Sequence, residues 1–217
     1  MRKFKLASRL ILAAALAGSF AACRATVEDS NAPHSVPFDA ARVDNTVFGG
    51  ALPIDDTAIT KVDSSKLIAD LAPCRKPTLA KVFAIADGDT IDVDEVGADG
   101  SAGLRVRLIG VNSPEISHDG GVAECFGDDA TTFTRQLIGH YVWLTFGSTC
   151  TDKYDRTLAY VHLSATETGF FQRQLLRRGY AKAYIFDDND AERALFEADQ
   201  ALAKTEKAGL WGKCESN

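Results

Sequence analysis

From Leu79 the chain takes on a two-residue alternation, with Val82, Ile85, Ile91 and Val93 arranged around Ala86-Asp87-Gly88-Asp89. Asp-Gly accepts the positive backbone angles of a tight hairpin turn, so this stretch predicts two strands folded back on each other. Leu104 to Ile109 continues the pattern as a third strand, and Val142 to Phe146 and Leu158 to Leu163 read as two more.

Three helical patterns come between or after these strands. Asp128 to Ile138 sets Ala130, Phe133 and Leu137 on one face, with Phe126 at the turn before it. Phe170 to Arg178 stops at Gly179, and Ala191 to Lys207 places Ala194, Leu195, Ala198 and Leu202 on its apolar side. Five strands with helices inserted late predict an α+β, mainly β fold: a small closed barrel of OB type with three helices packed around it.

The ends set the domain limits. Arg2, Lys3, Lys5 and Arg9 precede the apolar run Leu10 to Gly18, which is too short for a mature membrane span and reads as a signal peptide over residues 1–22. Ser19-Phe20-Ala21-Ala22-Cys23 resembles a bacterial lipobox, with Phe20 where leucine is usual. Cys23 is then the expected lipidation site, and cleavage after Ala21 or Ala22 is the competing reading. Residues 23–73, rich in Ala, Asp, Ser and Pro, read as a flexible lipid-anchored tether with one short helix at Ser64 to Leu71. The folded domain is expected over 74–217, exported and monomeric, held to the membrane by the anchor or secreted or periplasmic without it.

Five cysteines are odd in number, and lipidation of Cys23 leaves Cys74, Cys125, Cys150 and Cys214. Their dispersal disfavours zinc and favours disulfides in an oxidising compartment. Of the three pairings open to four cysteines, the preferred one joins Cys125 to Cys150 and Cys74 to Cys214, because the second pair flanks the expected domain. The net charge of −6 offers no bulk attraction to nucleic acid. A local cation and arginines can still invert the potential within one cleft.

Chemistry is concentrated in three stretches: Asp87-Gly88-Asp89-Thr90, Arg107 to Glu115, and Asp152-Lys153-Tyr154-Asp155-Arg156. They supply oxygen ligands, an additional carboxylate and two guanidiniums. That inventory suits metal-assisted attack on a phosphodiester, where a hard cation and planar arginine forks neutralise charge on phosphate oxygens. G-x-S-x-G, H-E-x-x-H and G-x-x-x-x-G-K are absent. His34, His118, His140 and His162 lack ligand spacing.

In this order and spacing, D-G-D-T after a strand, R-x-x-x-x-[DN]-[ST]-P-E, D-K-Y-x-R and Ala208 to Trp211 resemble the staphylococcal nuclease (thermonuclease) family, over about Leu79 to Trp211. The resemblance implies a five-stranded OB barrel with three helices and calcium-dependent, non-specific cleavage of DNA and RNA to 3′-phosphate ends. The expected substrates are single-stranded DNA and RNA, with duplex DNA cut less readily. By motif position Asp89, Asn112 and the Ser113 carbonyl would hold calcium, with Asp87 nearby or acting through water. Glu115 would activate water, Arg107 and Arg156 would clamp the phosphate, and Lys153, Tyr154 and Tyr184 would contact phosphate and base. Asn112 departs from the family's aspartate, Asp155 stands where glycine is expected, and Phe186 where a tyrosine is expected. The alternative is a non-catalytic OB module of nuclease ancestry that binds nucleic acid or an envelope component. Taken singly, Asp87-Gly88 is an ordinary turn, Arg107 a strand-surface charge, Arg156 a partner for Asp152 or Asp155, and Tyr184 a packing residue.

Overall fold

A turn at Gly88-Asp89 does separate two long strands. The computed structural model describes residues 39–44, 46–67, 72–97, 103–117, 121–184 and 191–214. Among these residues the strands are β1 (Thr78–Asp87), β2 (Thr90–Glu95), β3 (Leu104–Leu108), β4 (Val111–Asn112), β5 (Tyr141–Thr145), β6 (Thr157–His162) and β7 (Lys182–Ala183). The helices are α1 (Ala40–Asp44), α2 (Asp56–Ile59), α3 (Gly127–Thr134), α4 (Phe171–Arg177), α5 (Arg193–Thr205) and α6 (Leu210–Lys213).

Five strands close a barrel in the order β1-β2-β3-β6-β5, and β4 and β7 form a separate two-stranded sheet. Closure depends on β1, which pairs with β5 over Thr78 to Lys81 (Thr78 opposite Leu144) and with β2 from Ala80 onward, Ala80 and Lys81 lying between both partners. Register shifts between Val82 and Ala84 and between Ile85 and Asp87 bend it from one partner to the other. The expected α+β barrel of OB type is the fold.

Alternation aims Ala80, Val82, Ile91, Val93, Val106, Leu108, Val142 and Leu144 into the barrel, all fully buried. All six residues of β6 are buried, because helix α4 covers its outer side with Phe171 and Leu175. Gln172 from α4 accepts from Val161 N at 3.1 Å and donates to the Ala159 carbonyl at 3.1 Å, satisfying backbone that this cover removes from water. Gly179 ends α4 at φ 67°, as its position predicted, and a Cβ there would lie 2.1 Å from the Ala208 carbonyl oxygen.

Two expectations are corrected. Residues 39–67 are not a tether: Val43, Leu52, Ile59 and Leu67 are buried, and Val43 and Leu52 join the main core. Arg42 pairs with Glu167 (2.8 Å) and Glu192 (3.1 Å). Trp143 Nε1 donates to the Ile59 carbonyl at 2.9 Å. The folded body therefore begins well before residue 74. The short helix expected from Ser64 is a 3-10 turn over Ser64–Lys66.

The disulfides join Cys74 to Cys150 and Cys125 to Cys214, replacing the Cys125–Cys150 and Cys74–Cys214 pairing. The β1–β5 ladder dictates the first, since chain preceding Thr78 must run beside chain following Leu144, and Cys74 N donates to the Gly147 carbonyl at 2.8 Å. The second follows from Phe126 stacking on Tyr180 at 5.5 Å while Leu210 N donates to the Gly179 carbonyl at 2.9 Å, which draws the starts of α3 and α6 to one place. Residues 1–38, with the expected signal peptide, His34 and Cys23, lie outside the described residues, as do His118 and Phe186. No helix among the described residues is long and apolar enough to cross a membrane.

Candidate active site

The β1–β2 turn and the pairing of β2 with β3 build one wall of a cleft. Thr90 lies opposite Arg107, and Leu108 N donates to the Asp89 carbonyl at 2.9 Å, so the Asp89 carboxylate and the Arg107 guanidinium meet at 3.2 Å. Asp89 Oδ1 also accepts from the Thr90 hydroxyl at 3.1 Å, and Oδ2 accepts from Ser113 N at 2.7 Å. Asp87 Oδ1 accepts from Asp89 N at 2.9 Å. Gly88 is required by closeness here, because a Cβ would lie 2.7 Å from Ser113 Cβ.

Arg107 is buried and held from several directions. Its Nη1 donates to the carbonyls of Leu108 and Val111, both at 2.7 Å, and Nη2 donates to Asn112 Oδ1 at 3.0 Å. Gly110, at φ 80°, turns the chain so that β4 brings Asn112 back over Arg107. These bonds commit three of its five N–H groups, and the Nε ion pair with Asp89 adds a further hold on its orientation.

Burial pushes the Asp89 carboxyl up to about 7; the Arg107 charge and the Ser113 N–H oppose the rise, and Asp87 adds to it. Among the described residues no three His, Cys, Asp or Glu side chains cluster as a metal site. The donors at hand are the Asp87 and Asp89 carboxylates and the Asn112 amide oxygen, an all-oxygen set that fits a hard cation and excludes a thiolate-loving one.

The opposite wall is the turn from Asp152 to Arg156. Asp152 Oδ1 accepts from the N–H groups of Tyr154 (2.9 Å) and Arg156 (3.0 Å), and Oδ2 accepts from Arg156 Nε at 2.8 Å and forms an ion pair with Nη2 at 2.7 Å. Burial works against the Asp152 anion, but these Arg156 and backbone donors hold it below the usual carboxylate range. Asp155 adopts φ 60°, the left-handed geometry that glycine would supply at that position. Tyr154, two-thirds exposed, lies between cations, its ring 5.0 Å from Lys153 Nζ and 5.4 Å from Arg156 Cζ.

Nine residues singled out in the sequence line one cleft of about 580 Å³: Asp87, Asp89, Arg107, Asn112 and Glu115 on one side, Lys153, Tyr154 and Arg156 on the other, with half-exposed Tyr184 at the edge. Tyr184 arrives through the β4–β7 pairing, its N–H donating to the Gly110 carbonyl at 3.0 Å. Ser113 is buried behind Asp89, presenting its N–H to that carboxylate. Asp152 also lines the cleft and was not among the expected site residues. Its signal was an aspartate opening a five-residue turn that ends in arginine.

This barrel and cleft define a nuclease-type hydrolase. A family model described as staphylococcal nuclease homologue matches residues 105–213. The thermonucleases of Staphylococcus intermedius and Staphylococcus hyicus are 37% and 33% identical over 131 and 132 residues, each match spanning 60% of this chain and 74% of the relative. Endonuclease YncB of Bacillus subtilis is 32% identical over 130 residues, 58% of each chain. The chain belongs to the staphylococcal nuclease family.

Proposed function

We propose that this chain is a calcium-dependent, non-specific nuclease that hydrolyses DNA and RNA and leaves 3′-phosphate ends. The observation that carries the reading is the gathering of Asp89, Arg107, Glu115 and Arg156 on one open cleft. Asp89, Asn112 and the Ser113 carbonyl would hold calcium, with Asp87 acting through water. Bound there, the ion would supply positive charge beside a phosphate oxygen and the attacking water.

The chain's own groups supply the remaining chemistry. Glu115 takes a proton from water, the water oxygen bonds to phosphorus, and the 5′ oxygen leaves with a proton from solvent. Arg107 keeps an Nη2 N–H outside its hydrogen bonds to Leu108, Val111 and Asn112, and Arg156 donates to Asp152 through Nε, so both have donors for the phosphate. Tyr154 and Tyr184 offer ring faces that stack on any base, favouring unpaired strands over duplex DNA.

The proposed setting is extracytoplasmic, with Cys23 lipidated and the enzyme monomeric, because two disulfides suit an oxidising compartment. Intact-mass analysis of the membrane fraction tests the anchor: an unmodified Cys23 would remove it. Glu115→Gln tests the chemistry and should slow calcium-dependent cleavage by about 10²- to 10⁴-fold with substrate binding retained. Full cleavage in that variant would remove Glu115 from the mechanism. Binding without cleavage by the unaltered chain would favour the non-catalytic module.

A further inference from the structure

Glu115 stands on a segment that leaves the barrel after buried Ser113 and Pro114 and meets the chain again at Glu124. Two hydrogen bonds close that meeting: Glu115 N donates to Glu124 Oε2 at 3.1 Å, and Glu124 N donates to the Glu115 carbonyl at 2.9 Å. Gly127 presses on the same carbonyl, since a Cβ there would lie 2.3 Å from it. Glu115 and Glu124 are exposed, so water competes for the bonds between them.

One covalent link lies between these contacts. Cys125, flanked by Glu124 and Phe126, is bonded to Cys214 at the end of α6. That helix is anchored independently, with Leu210 N on the Gly179 carbonyl at 2.9 Å, and its last turn carries Cys214, whose N–H donates to the Leu210 carbonyl at 2.9 Å. The phosphate-side groups have other supports: Arg107 belongs to a barrel strand, and the Arg156 turn is held by Asp152 and lies near the separate Cys74–Cys150 link.

We propose that Cys125 and Cys214 are positioning residues whose disulfide fixes Glu115 for catalysis, so that cleavage depends on this bond while folding and substrate binding do not. The proposal rests on the reading of Glu115 as the group that activates water. Reduction by a thiol breaks the S–S bond, delivers two electrons and two protons to give two Cys thiols, and converts the reductant to its own disulfide. A chain still in a thiol-rich compartment is then folded and slow, and becomes fast on oxidation outside it.

The test compares the full chain with Cys125→Ser/Cys214→Ser, each with and without Glu115→Gln, in steady-state cleavage of a labelled single-stranded DNA at saturating calcium. The serine pair should lose about 10²-fold in kcat with KM unchanged, and should lose nothing further in the Glu115→Gln background. Amide exchange in the serine pair should rise at 113–117 and 121–127 while β1, β2 and β3 keep their protection. Unchanged kcat in the serine pair beside a slow Glu115→Gln overturns the positioning role alone. Equal losses in both backgrounds, or lost protection across the barrel, mark a general structural role and also overturn it. A fully active Glu115→Gln overturns the reading of Glu115, and the proposal with it.

Discussion

Asp152 grips Arg156 through both side chain and backbone: one carboxylate oxygen accepts from Nε at 2.8 Å and pairs ionically with Nη2 at 2.7 Å, and the other accepts from the Arg156 N–H at 3.0 Å. An exposed ion pair contributes little to stability, but this one is largely shielded and aims a guanidinium into the cleft. Asp152→Asn keeps acceptors for the backbone N–H groups and loses the charge that orients Arg156. Cleavage should fall about 10²-fold with a modest drop in melting temperature, as measured by steady-state kinetics beside thermal unfolding.

Asn112 presents a neutral oxygen where a carboxylate would add charge, and that oxygen accepts from Arg107 at 3.0 Å. Asn112→Asp should shift the calcium midpoint of cleavage about tenfold lower, since the charge count of a site sets its affinity, with the rate at saturating calcium changed little. A calcium titration of both proteins checks this.

Calcium binding should depend on pH through Asp89. Its carboxyl is raised to about 7 by burial, so below that pH a proton must leave before the ion enters, and above it the anion is already formed. Apparent calcium affinity should climb as pH rises toward about 7 and then level off. Without calcium the sign for stability is opposite: the raised value favours the protonated fold, and the benefit fades as pH rises through about 7. Thermal shift with and without calcium from about pH 5 to about pH 9 reads both.

Arg42→Ala should loosen the N-terminal segment. Arg42 neutralises buried Glu192 and also pairs with Glu167, while its carbonyl accepts from Arg173 Nη2 at 2.9 Å. Removing the side chain leaves a buried carboxylate unpaired, at a cost of about 2 kcal/mol near neutral pH. Burial raises the Glu192 carboxyl to about 6 despite Arg42, so the cost should shrink below that pH, where Glu192 takes up a proton. Denaturant unfolding at about pH 5 and about pH 8 would show the difference.

The barrel strands were legible because Asp87-Gly88 marks a turn and alternation marks the face that each residue takes. Asp155 stood out only as a departure from the glycine that the resemblance implies, and its φ of 60° is the backbone geometry that glycine would have supplied. Helices α1, α2 and α6 have four or five residues each, too few turns to establish a period. The pairing of β4 with β7 comes from tertiary packing rather than strand propensity. Val43, Leu52 and Ile59 are buried one at a time along a polar segment, so no stripe distinguished it from a tether. Cysteine pairing failed because it depends on which strand lies beside β1, information held in the closure of the barrel.

Cleavage of a labelled single-stranded DNA by the full chain with both disulfides intact, followed in time across a calcium titration with a chelator control, tests the central claim most directly. Cutting that rises with calcium, stops with chelator and leaves 3′-phosphate ends is the expected result. Binding without cutting at saturating calcium, by protein whose far-ultraviolet spectrum is that of the folded barrel, would contradict it.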